Sequence, residues 1–87
     1  MIQRLIISKG VAGSIGVRSE PRHPALRFRA WRGSPNDRFS AAAGWASRAA
    51  AELGAELLDE TGRLSEDDCR NLLTAWRTNM ATVEQAD

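Results

Sequence analysis

Eleven of the twelve basic residues in this chain of 87 are arginine, Lys9 being the exception. They gather around one stretch, "ALRFRAWR" (25–32), where Arg27, Arg29 and Trp31 occupy alternate positions and Arg32 follows. Arg18 and Arg22 lie just upstream. A guanidinium binds phosphate or carboxylate through a planar fork and stacks on aromatic rings, which an ammonium does less well. In an extended strand alternate side chains share a face. Leu26, Phe28 and Ala30 are therefore expected to face a core, and Arg27, Arg29 and Trp31 to share the open side. That side could meet a phosphate backbone through Arg27 and Arg29, stack a base on Trp31, and gain charge from Arg18, Arg22 and Arg32. The competing account is a solvated sheet face whose arginine stems shield apolar surface. A GC-rich genome would produce the same arginine excess without any selection for chemistry.

Other groups with chemical capacity offer less. "KGVAGSIG" (9–16) has spaced glycines, but it matches neither phosphate-loop spacing and no helix follows it. It is expected to be a hairpin connection. His23, the only histidine, stands between Pro21 and Pro24 in a turn and has no carboxylate neighbour that would suggest a triad. The acids Glu52, Glu56, Asp59, Glu60, Glu66, Asp67 and Asp68 lack the alternation of a calcium loop, and helix caps and a solvated face account for them. Cys69 is the single cysteine, so no internal disulfide can form and no cysteine-based zinc site is expected. It falls on an apolar helical stripe, where a buried, inert thiol is expected. No metal, cofactor or catalytic constellation is expected, and hence no enzyme.

The net charge of +1 conceals an asymmetry. Residues 1–48 carry nine Lys/Arg against Glu20 and Asp37, or +7, whereas residues 49–87 carry three arginines against nine acids, or −6. Such a division speaks to partners rather than to fold. It also allows self-association between the basic half of one copy and the acidic half of another.

The elements that must position these residues are legible in part. "IQRLIIS" (2–8) and "IGVRS" (15–19) have the β-branched character of strands, "EPRHP" must turn, and "ALRFRAW" (25–31) is the third strand. At "RGSPNDRFS" the signals become helical, with Ser34 as cap, Pro35 in the first turn and Asp37 at the positive end of the dipole. Phe39, Ala43, Ala46, Ala50, Leu53 and Leu57 then recur with helical spacing. A helix running to Glu60 would be roughly 39 Å long, so a bend or a stop at Gly54 competes with it. "DETGR" is a turn, and Ser65 with Asp68 forms a capping box opening a second helix over about residues 66–84. Its apolar stripe is Cys69, Leu72, Leu73, Trp76, Met80 and Val83.

One domain of class α+β is therefore expected over residues 1–87. A small three-stranded antiparallel sheet (β-β-β) occupies a basic part, 1–32, and a helical hairpin (α-α) occupies 35–85. In outline this is similar to three-stranded DNA-binding domains that lay a sheet in the major groove, a likeness of architecture that carries no residue assignments. Trp45 lies off the apolar stripe of the first helix, near Arg48, Glu52 and Glu56. A tryptophan so placed either packs against the second helix or forms half of a contact with a partner protein or a second copy. Two functions of different kind follow. One is nucleic-acid binding through Arg18, Arg22, Arg27, Arg29, Trp31 and Arg32. The other is a small inhibitor or adaptor of the phage or mobile-element type. Such a module would bind a host protein through Trp45, Arg48, Glu52 and Glu56, or through the arginine face. The N-terminal run is too short and too soon charged for a signal peptide or membrane span, so a cytoplasmic setting without membrane contact is expected.

Overall fold

The computed structural model describes residues 2–85, with side chains to residue 80. It is α+β. Strands β1 (Arg4–Lys9), β2 (Ile15–Glu20) and β3 (Arg29–Trp31) precede helix α1 (Pro35–Leu53), strand β4 (Glu56–Asp59) and helix α2 (Glu66–Gln85). The sheet order is β3-β2-β1-β4. β1–β2 and β2–β3 are antiparallel and β1–β4 is parallel, so the sheet is mixed and four-stranded. The expected three-stranded antiparallel sheet is corrected by one strand, and the expected uninterrupted helical hairpin is divided by it.

Continuous apolar "LII" suits the central strand because β1 is covered on both sides. Leu5 and Ile7 meet the helices, while Ile6, 4% exposed, lies on the opposite face. The glycine-rich stretch closes the β1–β2 hairpin: Gly10 N–H donates to the Ser14 carbonyl at 2.6 Å, and Gly13 adopts a φ of +76° that favours glycine. On the helix side, Leu5, Ile7, Ile15 and Val17 supply the bulk. Ala42, Ala43, Ala46 and Ala50 of α1 let the helix settle close to them. Ser47, buried among the alanines, satisfies its hydroxyl on the Ala43 carbonyl at 2.7 Å.

α1 starts with Pro35 in its first turn and Ser34 at the N-cap position, but the Ser34 hydroxyl donates to the Asp37 carboxylate and does not cap a backbone N–H as expected. Its end decides the fold. Gly54 takes φ +65°, its N–H reaches back to the Ala51 carbonyl, and the Ala55 N–H donates to the Ala50 carbonyl at 2.8 Å. This Schellman arrangement satisfies the last carbonyls and turns the chain out of the helix. Leu57 therefore belongs to β4, where it pairs with Leu5 and joins the core. Asp59 folds the next loop by accepting from the N–H groups of Thr61, Arg63 and Leu64 and from the Thr61 hydroxyl. The Ser65–Asp68 capping box forms reciprocally, with bonds of 3.2 and 3.1 Å. α2 then buries Cys69 and Leu73, leaves Leu72 and Met80 exposed, and half-buries Trp76. The side chain of Val83, last in the expected stripe, lies outside the described residues. No helix among the described residues is long and apolar enough to cross a membrane.

Burial pushes the Cys69 thiol above its ordinary pKa, assisted by the nearby charges of Asp59, Asp68 and Glu66. The native thiol stays protonated while the unfolded chain releases its proton at lower pH, so stability falls as pH rises through the ordinary thiol range. Native protein is expected to resist a thiol reagent at neutral pH and to react on unfolding, and Cys69→Ala to flatten the alkaline loss in pH-dependent urea melts. Leu57→Ala is expected to cost about 2–5 kcal/mol, as for any buried leucine. Gly54→Ala should cost about 1 kcal/mol or more, because alanine resists positive φ. Equilibrium urea denaturation reads both values.

Candidate nucleic-acid interface

The pairing of β3 with β2 sets the face of every residue in "RAW". Val17 opposes Arg29, Gly16 opposes Ala30 and Ile15 opposes Trp31. Directly opposed residues share a face, and Ile15 and Val17 face the helices. Arg29 and Trp31 therefore stand on the helix side, and Ala30 on the open side. This reverses the expected arrangement. Trp31 is half-buried against Trp45 of α1, with ring centroids 5.6 Å apart and planes inclined at 52°. The Arg29 guanidinium lies 5.7 Å from the Trp31 centroid and 5.1 Å from that of Trp45, capping the pair. Trp31 is thus not presented on an open sheet face. Phe28 takes the exposed position instead, on the far side of the sheet. Leu26 does pack against the core, because residues 26–28 lie outside the strand and need not alternate with it.

The open face of the sheet carries charge in compensated form. Arg4 of β1 pairs with Glu56 of β4 at 3.3 Å. Arg18 of β2 reaches across β1 to Glu60, with bonds of 2.7 and 3.2 Å, and also meets Glu20 at 3.2 Å. Because Arg18 and Leu58 both stand opposite Ile6, this bridge and its aliphatic stem close over the isoleucine. Bonds to Glu60 first, and then to Glu20, hold the Arg18 pKa above its ordinary value, so its charge is permanent. Glu56 is correspondingly a sheet residue and does not share a helix face with Trp45. Arg48 and Glu52 do remain on α1, 3.5 Å apart, and Arg48 lies 5.9 Å from the Trp76 ring of α2.

Several unpaired cations sit toward the β2–β3 side of the sheet. A groove of about 480 Å³ runs beside β2, lined by Arg18, Arg22, His23, Leu26, Arg27 and Phe28, among others. Among the described residues Arg22 and Arg27 have no carboxylate or hydrogen-bond partner, and Arg32, just beyond β3, has none either. The loop that presents them is pinned. Gln3 Nε2 donates to the Pro21 carbonyl at 2.7 Å, and the His23 N–H donates to the Ser19 hydroxyl at 3.1 Å. His23 Nδ1 accepts from the Ala25 N–H, and its carbonyl from Leu26 N–H. His23 is thus a turn-building residue. Of the six residues expected to form one surface, the groove brings together Arg18, Arg22 and Arg27, while Arg29 and Trp31 lie on the other side of the sheet. Alternation places Phe28 in the core, and its position in the groove carries no separate sequence signal. No cluster of three or more His, Cys, Asp or Glu able to hold a metal occurs among the described residues.

Truncation separates the two faces. Trp31→Ala should lower stability by about 2 kcal/mol or more, since it strips the cover from Trp45, whereas Phe28→Ala should cost less than about 1 kcal/mol. Urea titration followed by circular dichroism measures both, and the opposite order would put β3 in the other register. Comparison with family models, curated proteins and solved structures finds no match to this chain.

Proposed function

We propose that this domain is a small non-enzymatic nucleic-acid-binding module whose contact surface is the groove beside β2. The observation that carries the proposal is the pair of unpartnered guanidinium groups, Arg22 and Arg27, on a hydrogen-bonded loop beside the exposed ring of Phe28. Free arginines on a fixed scaffold contact phosphate without first breaking an internal ion pair. Arg32 adds charge nearby in the chain, while Arg18 is already committed to Glu20 and Glu60 and contributes little net potential. The stacking role expected of Trp31 passes to Phe28 in this proposal, because Trp31 is occupied by Trp45.

A protein partner draws support from a different surface. Leu72 and Met80 of α2 are exposed on the helix that half-buries Trp76. A contact there would be apolar and would depend weakly on salt.

Fluorescence anisotropy of labelled DNA and RNA at two salt concentrations tests the proposal. Binding is expected in the range of about 1–100 μM at moderate salt, weakening as salt rises. Arg22→Glu/Arg27→Glu should abolish it, and Arg22→Ala alone should reduce the slope of log affinity against log salt by about 0.7–0.9. Absence of binding to every nucleic acid at low salt would sink the proposal and direct attention to α2.

A further inference from the structure

The ion pairs of the open face restrict what kind of nucleic acid the groove can hold. A duplex lying on the sheet would need a row of free cations spaced along its backbone. The two arginines that project from the flat part of that face, Arg4 and Arg18, are tied to Glu56, Glu20 and Glu60. The carboxylates beside them would repel a second phosphate strand. The cations of the groove rim beside it, Arg22 and Arg27, have no such partner among the described residues.

The same rim carries an aromatic ring with no internal task. Phe28 is 63% exposed, although it could have been a core residue by type. Its ring is seated by a vacancy in β2: a Cβ built on Gly16 would lie 2.7 Å from both Cε2 and Cζ of Phe28. Glycine at position 16 thus lets the ring settle against the strand and leaves the rest of it open to the groove. An exposed ring beside guanidinium groups is the usual platform for an unpaired base, because every base presents a π-face and duplex bases are already stacked on one another.

We propose that the groove selects single-stranded nucleic acid, RNA or DNA, with one unpaired base stacked on Phe28 and the adjoining phosphates at Arg22 and Arg27. This inference rests on the nucleic-acid reading of the groove and adds the strandedness of the ligand and the residue that senses it. Gly16 is a positioning residue that acts through Phe28.

The test uses the full chain with labelled oligo(U), oligo(dT) and a duplex of the same length at one salt concentration. Both single strands are expected to bind more tightly than the duplex. Phe28→Ala should weaken the single strands about ten-fold and leave the duplex unchanged, while Phe28→Trp should retain affinity. Gly16→Ala should also weaken the single strands while keeping the melting temperature, because it displaces an exposed ring rather than deleting a buried one. Equal affinity for duplex and single strand, or an equal loss on both with Phe28→Ala, would overturn the inference and leave the phosphate contacts standing. Loss of all binding only in Arg22→Glu/Arg27→Glu, with Phe28→Ala neutral, would do the same. Failure of every probe to bind the unaltered protein at low salt would overturn both the inference and the nucleic-acid reading beneath it.

Discussion

The β2–β3 register is the constraint on which the proposed surface depends. Pairing Ile15 with Trp31 places the indole beneath α1, where Trp45 can cover it. A slip of one residue would send Trp31 to solvent and strip Trp45, and in exchange would turn only Ala30 inward. Apolar area decides between the two. Aromatic side chains bury about 150–250 Å² each, and at about 25 cal/mol per Å² two half-covered tryptophans outweigh an alanine. Arg29 favours the same register. On the helix side its guanidinium stacks over both indoles while remaining in water, so the cation is not desolvated.

That choice fixes the electrostatics of the other face. With Arg29 on the helix side, the open sheet face has Arg4 and Arg18 as its cations, and Glu56 of β4 and Glu60 just after it neutralise them. The fourth strand therefore does more than complete the sheet. Without it, Arg4 would be unpaired and Arg18 would meet Glu20 alone, and the positive surface would extend across β1 and β2. With it, both cations of the flat face are paired, and the unpaired Arg22 and Arg27 lie in the segment after β2, where hydrogen bonds through Ser19, His23 and Gln3 hold the backbone in place. The basic and acidic halves of the sequence meet in the sheet through two ion pairs, Arg4–Glu56 and Arg18–Glu60.

The parts of this arrangement that are local in origin could be read from the chain. The Ser65–Asp68 capping box, Pro35 at the start of α1 and the apolar run of β1 each follow from short-range chemistry, and all three form. Gly54 marked a competing end for α1, and it is the one adopted. β4 was hidden because Leu57 continues the helical stripe of Phe39 to Leu53, and a four-residue strand has too few positions to show its own period. Its pairing with β1 is a contact across more than fifty residues that no local signal encodes. The face of β3 failed for a related reason. "LRFRAW" alternates cleanly, but the strand begins only at Arg29, so Leu26 and Phe28 do not belong to the alternation that appeared to define it. The site residues were thus found as a group, and the division among them was set by tertiary pairing.

The two edges of the sheet meet the problem of unpaired backbone in different ways, and the difference locates the site. α2 packs against β4, whose Leu57 is only 4% exposed. β3 has no such cover. It is three residues long, and Arg27, Arg29 and Arg32 crowd its ends with positive charge. Short length and flanking cations are the usual defences against strand addition by another chain, because an approaching backbone must displace or neutralise them. Cations placed to refuse a neutral strand remain open to an anionic one. On the proposed reading, the arginines that flank this short edge would then both deter strand addition and meet an anionic ligand.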